Sequence, residues 1–333
     1  MDEEKVLPEA AGPPIEKPTP ISIATPTLQP QKLGEGSGFY LLAQSRATNS
    51  LAHKLTTRFA GPAQLDLLGN ATVNSKDFRL FIRGYTELTN GINTSAAKLL
   101  DSLLITATTN GLSDTLVTLP LKEYMAMRGL RDVKSARQQV RRDIDALERV
   151  RFEYLGIGKD RGSWLNVTLA GGTSGIKNGV IYFRFNEDFY NSVRVSEGRY
   201  LFMFFPRESL RLNDNVNPYS YAFARRIAEH KRINLGRVNE NSIRVATILR
   251  ACPAFPTYAE VMAGNRNVTD RIIAPFERDM NALRDAFTWE YAGEPPQSYQ
   301  AFIEATVRIH WAGYPDVDRL RAARAKRRKK RGE

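Results

Sequence analysis

One order of helices and strands is predicted twice along the sequence, and this repetition limits the chain to few folds. In the first copy, a helix over 96–104, a strand over 115–119 and a helix over 120–129 precede a long helix from Asp132 to about Val150. The second copy begins roughly 120 residues later, a period too long for a solenoid repeat. Two tandem domains of similar construction account better for this spacing.

Strands complete both copies. The first continues with predicted strands over 151–155, 164–169 and 180–185, with Gly-rich connections over 156–162 and 171–179. The second has helices over 219–231, 258–263 and 268–287, a helix or a strand followed by a helix over 240–251, and paired strands over 288–291 and 305–311 around a turn with Gly293, Pro295 and Pro296. Helix, strand, two helices and a hairpin, in this order, are typical of a winged helix. The predicted fold class is therefore α+β, with two tandem winged-helix domains.

The composition divides the chain into five segments. Residues 1–38 hold seven of the 17 prolines and a Gly-Glu-Gly-Ser-Gly run, which predicts a disordered tail. Residues 39–92 form an N-terminal extension with one alternating strand over 77–83. The first winged-helix domain is expected over 93–200, the second over 201–315, and a basic tail over 316–333.

Positive charge is spread over the body of the chain and concentrated at its end. The formal net charge is +12; residues 319–333 carry +8 and residues 1–38 carry −3, so +7 remains on 39–318. A basic body with a strongly basic tail indicates a polyanionic partner, to which the tail should bind without sequence preference. The sequence has no apolar run of membrane-spanning length and no secretory signal, so we expect a cytoplasmic protein without a membrane partner.

The first long helix has two faces of different chemistry. At about 100° per residue, its predicted core face lies within about 40° of one line and comprises Val133, Ala136, Val140, Ile144 and Leu147. The other side carries Arg131, Lys134, Ser135, Gln138 and Arg142, with Arg141 partway round. Arginine and glutamine suit guanine and adenine edges, and lysine suits phosphate. This side therefore predicts a DNA-recognition helix.

The alternative is a solvated helix face balanced by ion pairs. Three acids in the C-terminal half, Asp143, Asp145 and Glu148, could pair with Arg141, Arg142 and Arg149. The helix-turn-helix order around this helix, followed by a wing, favours DNA binding. Lys159, Arg161 and Lys177 of the predicted wing are further candidates for phosphate or minor-groove contact, although wing lysines are usually only solvated.

The second long helix is also apolar on one side. Its predicted core face comprises Thr269, Ile272, Phe276, Met280, Leu283 and Phe287. The opposite side provides the DNA-binding candidates Asn267, Arg271, Arg278 and Asn281, with Arg266 just before them. Pro275 lies inside the pattern and lacks a backbone donor, which predicts a kink or a helix whose first turn starts there.

No catalytic or metal-binding motif is recognised in the sequence. The three histidines, His53, His230 and His310, are isolated, and Gly158-Lys159 lacks the flanking residues of a P-loop. A single cysteine, Cys252, permits neither an intrachain disulfide nor a cysteine zinc site, and we expect a buried thiol. We therefore expect no enzyme activity, no cofactor and no metal.

Several stretches resemble replication initiators from plasmids and related mobile elements. In the second domain they are Asn217-Pro218-Tyr219-Ser220-Tyr221, Arg225–His230, Ile248–Pro253 and Ile272–Met280, which are similar to the C-terminal winged helix of that family. Leu119–Tyr124 and Arg141–Leu147 are similar to its first winged helix, so the resemblance covers roughly residues 90–312. The long proline-rich N-terminus and the segment 39–92 depart from the family pattern.

The resemblance implies a non-catalytic protein that binds repeated double-stranded sites at a replication origin, opens adjacent AT-rich DNA and recruits a host helicase or initiator. The resemblance also implies both monomers and homodimers. Because the N-terminus departs from the family pattern, the resemblance does not indicate that a dimer would use the family's usual N-terminal surface. Within the family the C-terminal domain dominates sequence reading, which gives weight to Asn267, Arg271 and Arg278. Two other interpretations remain: a transcriptional regulator of the same fold, and a nicking enzyme.

Overall fold

A computed structural model describes most of the two predicted domains. The described residues are 38–44, 48–49, 64–65, 71–74, 78–83, 94–155, 164–194, 202–252, 254–264 and 267–315. The predicted disordered tail before Gly38 and the basic tail after Pro315 lie outside them, as do Arg266, Lys159 and Arg161. No helix in the described part is long and apolar enough to cross a membrane.

Helices and strands are interspersed along the described chain. The strands are β1 (Phe39–Ala43), β2 (Gln64–Leu65), β3 (Ala71–Asn74), β4 (Phe78–Ile82), β5 (Leu116–Pro120), β6 (Val150–Leu155), β7 (Trp164–Thr168), β8 (Ala170–Lys177), β9 (Val180–Phe185), β10 (Phe202–Pro206), β11 (Ser242–Arg244), β12 (Phe287–Tyr291) and β13 (Thr306–Trp311). The helices are α1 (Thr94–Thr109), α2 (Leu121–Arg128), α3 (Val133–Glu148), α4 (Glu187–Arg194), α5 (Arg207–Arg211), α6 (Ser220–Asn234), α7 (Val245–Arg250), α8 (Tyr258–Gly264), α9 (Ala274–Asn281) and α10 (Tyr299–Glu304). The structure is α+β, as predicted.

In the first unit, α1, α2 and α3 accompany a small antiparallel sheet. Its strand order is β5-β9-β8. Pro120 stands immediately before α2, and Gly129 ends that helix in the left-handed conformation that favours glycine. Asp132 accepts a hydrogen bond of 2.7 Å from the backbone N–H of Ser135 and so caps α3. The predictions made from these local signals are confirmed.

The β8–β9 hairpin differs from the prediction. Residues 171–177 belong to β8, where a Gly-rich connection was predicted, and only Asn178 and Gly179 remain as the turn. Their φ angles are 52° and 75°. Positive φ at both central residues is the geometry of a type I′ turn, for which Asn-Gly is a preferred pair. The Asn-Gly dipeptide was therefore the signal that could have located this hairpin.

A second sheet joins the N-terminal extension to the first unit. β6 and β7 follow α3 in the chain, yet they continue an antiparallel sheet with the order β2-β3-β4-β6-β7. The predicted strand over 77–83 is present as β4. β1 pairs with β10, with Phe39 opposite Pro206. The extension is thus built into the folded body by strand pairs that are distant in sequence.

The second unit has an element order similar to that of the first, with an additional helix, α8, before the long helix and α10 between its last two strands. α6 and β11 lead into α7 and α8, the long helix follows, and the strand order β11-β13-β12 corresponds to β5-β9-β8. The ambiguous segment 240–251 contains a strand followed by a helix. The predicted turn residues Gly293, Pro295 and Pro296 lie in the connection after β12, and α10, which was not predicted, follows them. Ser298 caps α10, and its Phe302 is buried in the core. The long helix ends at Asn281, whereas Phe287 begins β12.

Pro275 explains the irregular start of the long helix. A π-helical segment, Thr269–Ile273, precedes α9, and the N–H of Ala274 donates to the carbonyl of Thr269, five residues back. Pro275 then falls in the first turn of α9, where its missing N–H needs no partner within the helix. The expectation that a first turn starts at Pro275 is confirmed.

Each unit has its own hydrophobic core, and the long helices contribute most of their predicted apolar faces to these cores. Two predicted core positions are wrong. Val133 is 48% exposed, and Thr269 is exposed as well. Each stands about one turn before the first buried side chain of its helix, Ala136 and Ile272 respectively. The helix period was correct, but it does not show where packing begins.

Candidate nucleic-acid interface

The exposed face of α3 carries a row of polar and basic side chains. All six candidates from the sequence are exposed: Arg131, Lys134, Ser135, Gln138, Arg141 and Arg142. At about 100° per residue they cover about 120° of the helix circumference. Arg137, which the sequence analysis did not select, is exposed at the edge of the same face. Its position four residues before Arg141, on a neighbouring turn, was the available signal.

The acids of α3 contact residues other than the basic candidates, although Asp145 lies on the same face. Asp145 forms an ion pair with Arg149 at 3.2 Å. Glu148 accepts a hydrogen bond from Ser174 of β8. Asp143 is buried in the first unit. A solvated face balanced by ion pairs would pair these acids with Arg141, Arg142 and Arg149. Of these three arginines, only Arg149 forms such an ion pair.

Uncompensated positive charge therefore remains on the helix. Among the described residues, no carboxylate forms an ion pair with Arg131, Lys134, Arg137 or Arg141. Arg142 instead donates from Nη2 to the side-chain oxygen of Gln139 at 3.0 Å. Like charges on neighbouring turns repel one another, and a polyanion relieves this repulsion.

A groove of about 700 Å³ separates α3 from the β8–β9 hairpin. From the helix, two arginines and two acids line it: Arg137, Arg141, Asp145 and Glu148. Ser174 and Asn178 line it from the hairpin. Lys177, the described one of the three wing candidates, is exposed at the end of β8. The face of α3 and the hairpin thus border a common concave surface.

The second unit offers fewer available side chains than predicted. Asn267, Arg271, Arg278 and Asn281 are all exposed. The side-chain oxygen of Asn267 accepts a hydrogen bond of 3.0 Å from the N–H of Asp270, three residues on. The side-chain oxygen of Asn281 accepts one of 3.0 Å from the indole N–H of Trp289. Both asparagines therefore have structural contacts.

Arg278 is also engaged, by the neighbouring carboxylate of Asp279. Its Nε and Nη2 lie 2.9 and 2.8 Å from Oδ1 of that residue, while half of the side chain stays exposed. Asp279 is buried and accepts hydrogen bonds from the backbone N–H groups of Tyr219 and Ser220 at the start of α6. Burial raises the pKa of Asp279, and the guanidinium opposes this.

Arg271 differs from the other three candidates. Its side chain makes no hydrogen bond or ion pair with a described residue. The periodicity of the helix could not separate Arg271 from the others, because it does not show side-chain contacts such as that of Asn281 with Trp289, which lies outside the helix.

The described residues include Cys252, the expected buried thiol, and most of the side chains that could bind a metal. Cys252 is buried as expected, and burial raises the pKa of its thiol to about 12. Within the described ranges, no group of three or more His, Cys, Asp or Glu side chains could hold a metal ion.

Comparison with known proteins gives remote structural likenesses. No protein-family model and no curated protein matches the sequence. A crystal structure of the selenomethionine derivative of domains 2 and 3 of RctB is 11% identical, covers 80% of this chain and 98% of that chain, and has a TM-score of 0.49. Another crystal structure of RctB domains 2 and 3 is 13% identical, covers 83% and 99%, and has a TM-score of 0.38. These likenesses are too remote to carry a function over from RctB.

Proposed function

We propose that each unit is a winged helix and that the protein binds duplex DNA with sequence specificity and without a catalytic site of its own. In this proposal α3 and the long helix of the second unit enter major grooves, and the β8–β9 hairpin contacts the adjacent backbone. The repeated element order and the matching strand orders of the two small sheets support it.

The uncompensated basic face of α3 is the observation that carries this proposal. A helix that is only solvated gains from pairing its own charges at i, i+4 spacing. Asp145 makes one such pair with Arg149 and Glu148 contacts Ser174, so several exposed cations of α3 remain available for phosphates. Phosphate contacts of this kind supply affinity and salt dependence. Gln138 and Arg142 lie among them and have the chemistry to read base edges.

We further propose that the protein is a replication initiator of a plasmid or mobile element. It would bind repeated origin sites, two winged helices to a site, and recruit a host helicase or initiator. The sequence resemblance of Asn217–Tyr221 and Ile272–Met280 to such initiators supports this role, as does the tandem arrangement of two units with a similar element order. A homodimer is proposed on the same resemblance.

Selection of binding sites tests the DNA-binding proposal. The full chain is incubated with duplexes of randomised sequence at physiological salt, and the retained duplexes are sequenced. We expect a common motif to be enriched. Lys134→Ala should weaken binding to all duplexes and reduce the salt slope by about one unit, whereas Gln138→Ala should relax the preference at one position. Arg237→Ala, an exposed arginine outside both long helices, is the matched control. If no common sequence is recovered, the proposal is wrong.

An experiment on the DNA next to the gene distinguishes a role in replication from a role in transcription. The gene and its flanking DNA are placed on a plasmid that lacks an origin, and the protein is footprinted on the flanks. Repeated protected sites and a maintained plasmid support the initiator role. Promoter repression without plasmid maintenance indicates a regulator. Nicked circles from supercoiled DNA, protein and divalent metal would overturn the non-catalytic proposal.

A further inference from the structure

A continuous line of hydrogen bonds joins the interior of the first unit to Arg142 on the face of α3. Ser95 Oγ donates to Asp143 Oδ2 at 2.7 Å, and Gln139 Nε2 donates to Asp143 Oδ1 at 2.8 Å. Arg142 Nη2 donates to Gln139 Oε1 at 3.0 Å. Asp143 is buried, Gln139 half-buried and Arg142 exposed, so the line runs from core to solvent.

The chemistry of its two neighbours fixes the orientation of the Gln139 amide. An ionised carboxylate only accepts hydrogen bonds, so the NH₂ group of Gln139 has to face Asp143. A guanidinium only donates, so the carbonyl oxygen has to face Arg142. A flipped amide would place acceptor against acceptor and donor against donor, and both hydrogen bonds would be lost.

The inner end of the line rests on Arg128 at the end of α2. Its Nη1 donates to Ser95 Oγ at 3.4 Å and to Tyr124 Oη at 2.9 Å. Its Nε donates to the carbonyl oxygen of Leu210 at 3.2 Å. Arg128 and Tyr124 are both buried. Asp143 is therefore held by side chains that are themselves fixed by packing.

Arg142 keeps most of its donors at the outer end. A guanidinium has five N–H donors, and the bond to Gln139 occupies one of them. A long side chain loses rotamer freedom when it contacts a ligand, and a side chain that is already held loses less of it. The line of hydrogen bonds thus prepares Arg142 for binding before any DNA is present.

We propose that Gln139 and Asp143 are positioning residues that hold the guanidinium of Arg142 toward the acceptor edge of a base in the major groove. This inference rests on the proposed DNA-binding function and adds to it two residues that do not touch DNA. Both act through Arg142: Gln139 directly, and Asp143 by fixing the amide of Gln139.

A double-mutant cycle tests this role. Binding of the full chain to the duplex enriched by selection is measured by fluorescence anisotropy. Arg142→Ala should weaken binding about tenfold and Gln139→Ala about threefold. The double variant should bind no more weakly than Arg142→Ala alone, because Gln139 then has nothing to position. Effects that multiply would overturn the inference. For the control pair Gln139→Ala and Arg141→Ala, which share no contact, the effects should multiply.

A second readout separates positioning from a general loss of structure. Gln139→Ala and Arg142→Ala should relax the base preference at the same position of the duplex, whereas loss of stability weakens binding to all duplexes alike. Asp143→Asn, which keeps an acceptor oxygen for Gln139, should retain the preference that Asp143→Ala loses. An unchanged preference in Gln139→Ala overturns the inference while DNA binding stands. Failure to enrich any duplex removes the DNA-binding function, and this inference with it.

Discussion

Two arginines on the exposed side of the second long helix differ in what their removal would leave behind. The side chain of Arg271 makes no contact with a described hydrogen-bonding group, whereas Arg278 compensates the buried carboxylate of Asp279. Asp279 in turn holds the first N–H groups of α6. We infer that Arg271 is available to a ligand and that Arg278 stabilises the unit as well.

Alanine substitutions should separate these two roles. Arg271→Ala should weaken DNA binding by about tenfold with a change in unfolding free energy within about 0.5 kcal/mol. Arg278→Ala should cost about 1–2 kcal/mol of stability, because Asp279 loses a charge-assisted partner. Urea denaturation and anisotropy on the same preparations measure both quantities, with Arg237→Ala as the control. Equal DNA binding by Arg271→Ala and the parent would remove Arg271 from the interface.

Asp143 should make the stability of the first unit depend on pH. Burial raises the pKa of its carboxyl to about 6, against hydrogen bonds from Ser95 and Gln139 that lower it. The folded state therefore takes up a proton more readily than the unfolded state. The resulting stabilisation is fully present below the ordinary carboxyl pKa and is lost as the pH rises through about 6.

Asp143→Asn tests this titration, because the amide does not change charge with pH. The unfolding free energy of the parent relative to this variant should increase by on the order of 1 kcal/mol from pH 7 to pH 5. Urea denaturation at the two pH values measures the difference, in which groups common to both proteins largely cancel. A difference that is the same at both pH values would contradict the raised pKa.

At the scale of elements, the sequence predicts what local chemistry determines. Pro120, Gly129 and Asp132 mark helix boundaries by their own backbone preferences or hydrogen bonds, and all three lie where predicted. The pairing of β6 with β4 was not predictable, because it joins segments about 70 residues apart whose contacts leave no local pattern. The burial of Asp143 was missed for the same reason, since its partner Ser95 is on another helix.

The β8–β9 hairpin depends on the backbone freedom of its turn. Gly179 has a φ of +75°, and an L side chain there is strained even though a Cβ would meet nothing within 4 Å. Gly179→Ala should therefore cost about 1 kcal/mol of unfolding free energy and increase hydrogen exchange at Ile181. Gly293→Ala is the matched control, because Gly293 also has open space but no positive φ. Equal stability of the two variants would argue against the type I′ turn.

At the scale of the molecule, the two units meet through charged groups that are largely buried. Asp101 of α1 and Arg225 of α6 form an ion pair with both side chains fully buried. Tyr221 donates to the same carboxylate at 2.7 Å, and Lys98 lies 2.6 Å from Asp214, which precedes α6. Hydrogen-bonded ion pairs are directional, so α1 restrains the orientation of the second unit.

Removing one partner of the interunit pair should be more harmful than removing both charges. Arg225→Met leaves the Asp101 carboxylate buried without its cation and should cost about 3–5 kcal/mol. Adding Asp101→Asn should restore much of this loss, because the amide is neutral and still accepts the hydrogen bond from Tyr221. Urea denaturation of the parent, the single variant and the double variant gives the comparison. An equal loss in the single and double variants would show that the charge of Asp101 is not the cause.

The same ion pair should determine which spacing of DNA sites the protein accepts. Two recognition helices on a rigid body fit half-sites at one separation and one rotation about the duplex. Inserting about five base pairs, half a helical turn, between the half-sites of the selected duplex should weaken binding of the parent at least tenfold. The penalty should be smaller for Asp101→Asn with Arg225→Met, since the second unit can then reorient, while binding at the original spacing changes less. If both proteins suffer the same penalty in anisotropy titrations, the apolar contacts of α6 with the first core, made by Tyr221 and Ala228, hold the units without help from the ion pair.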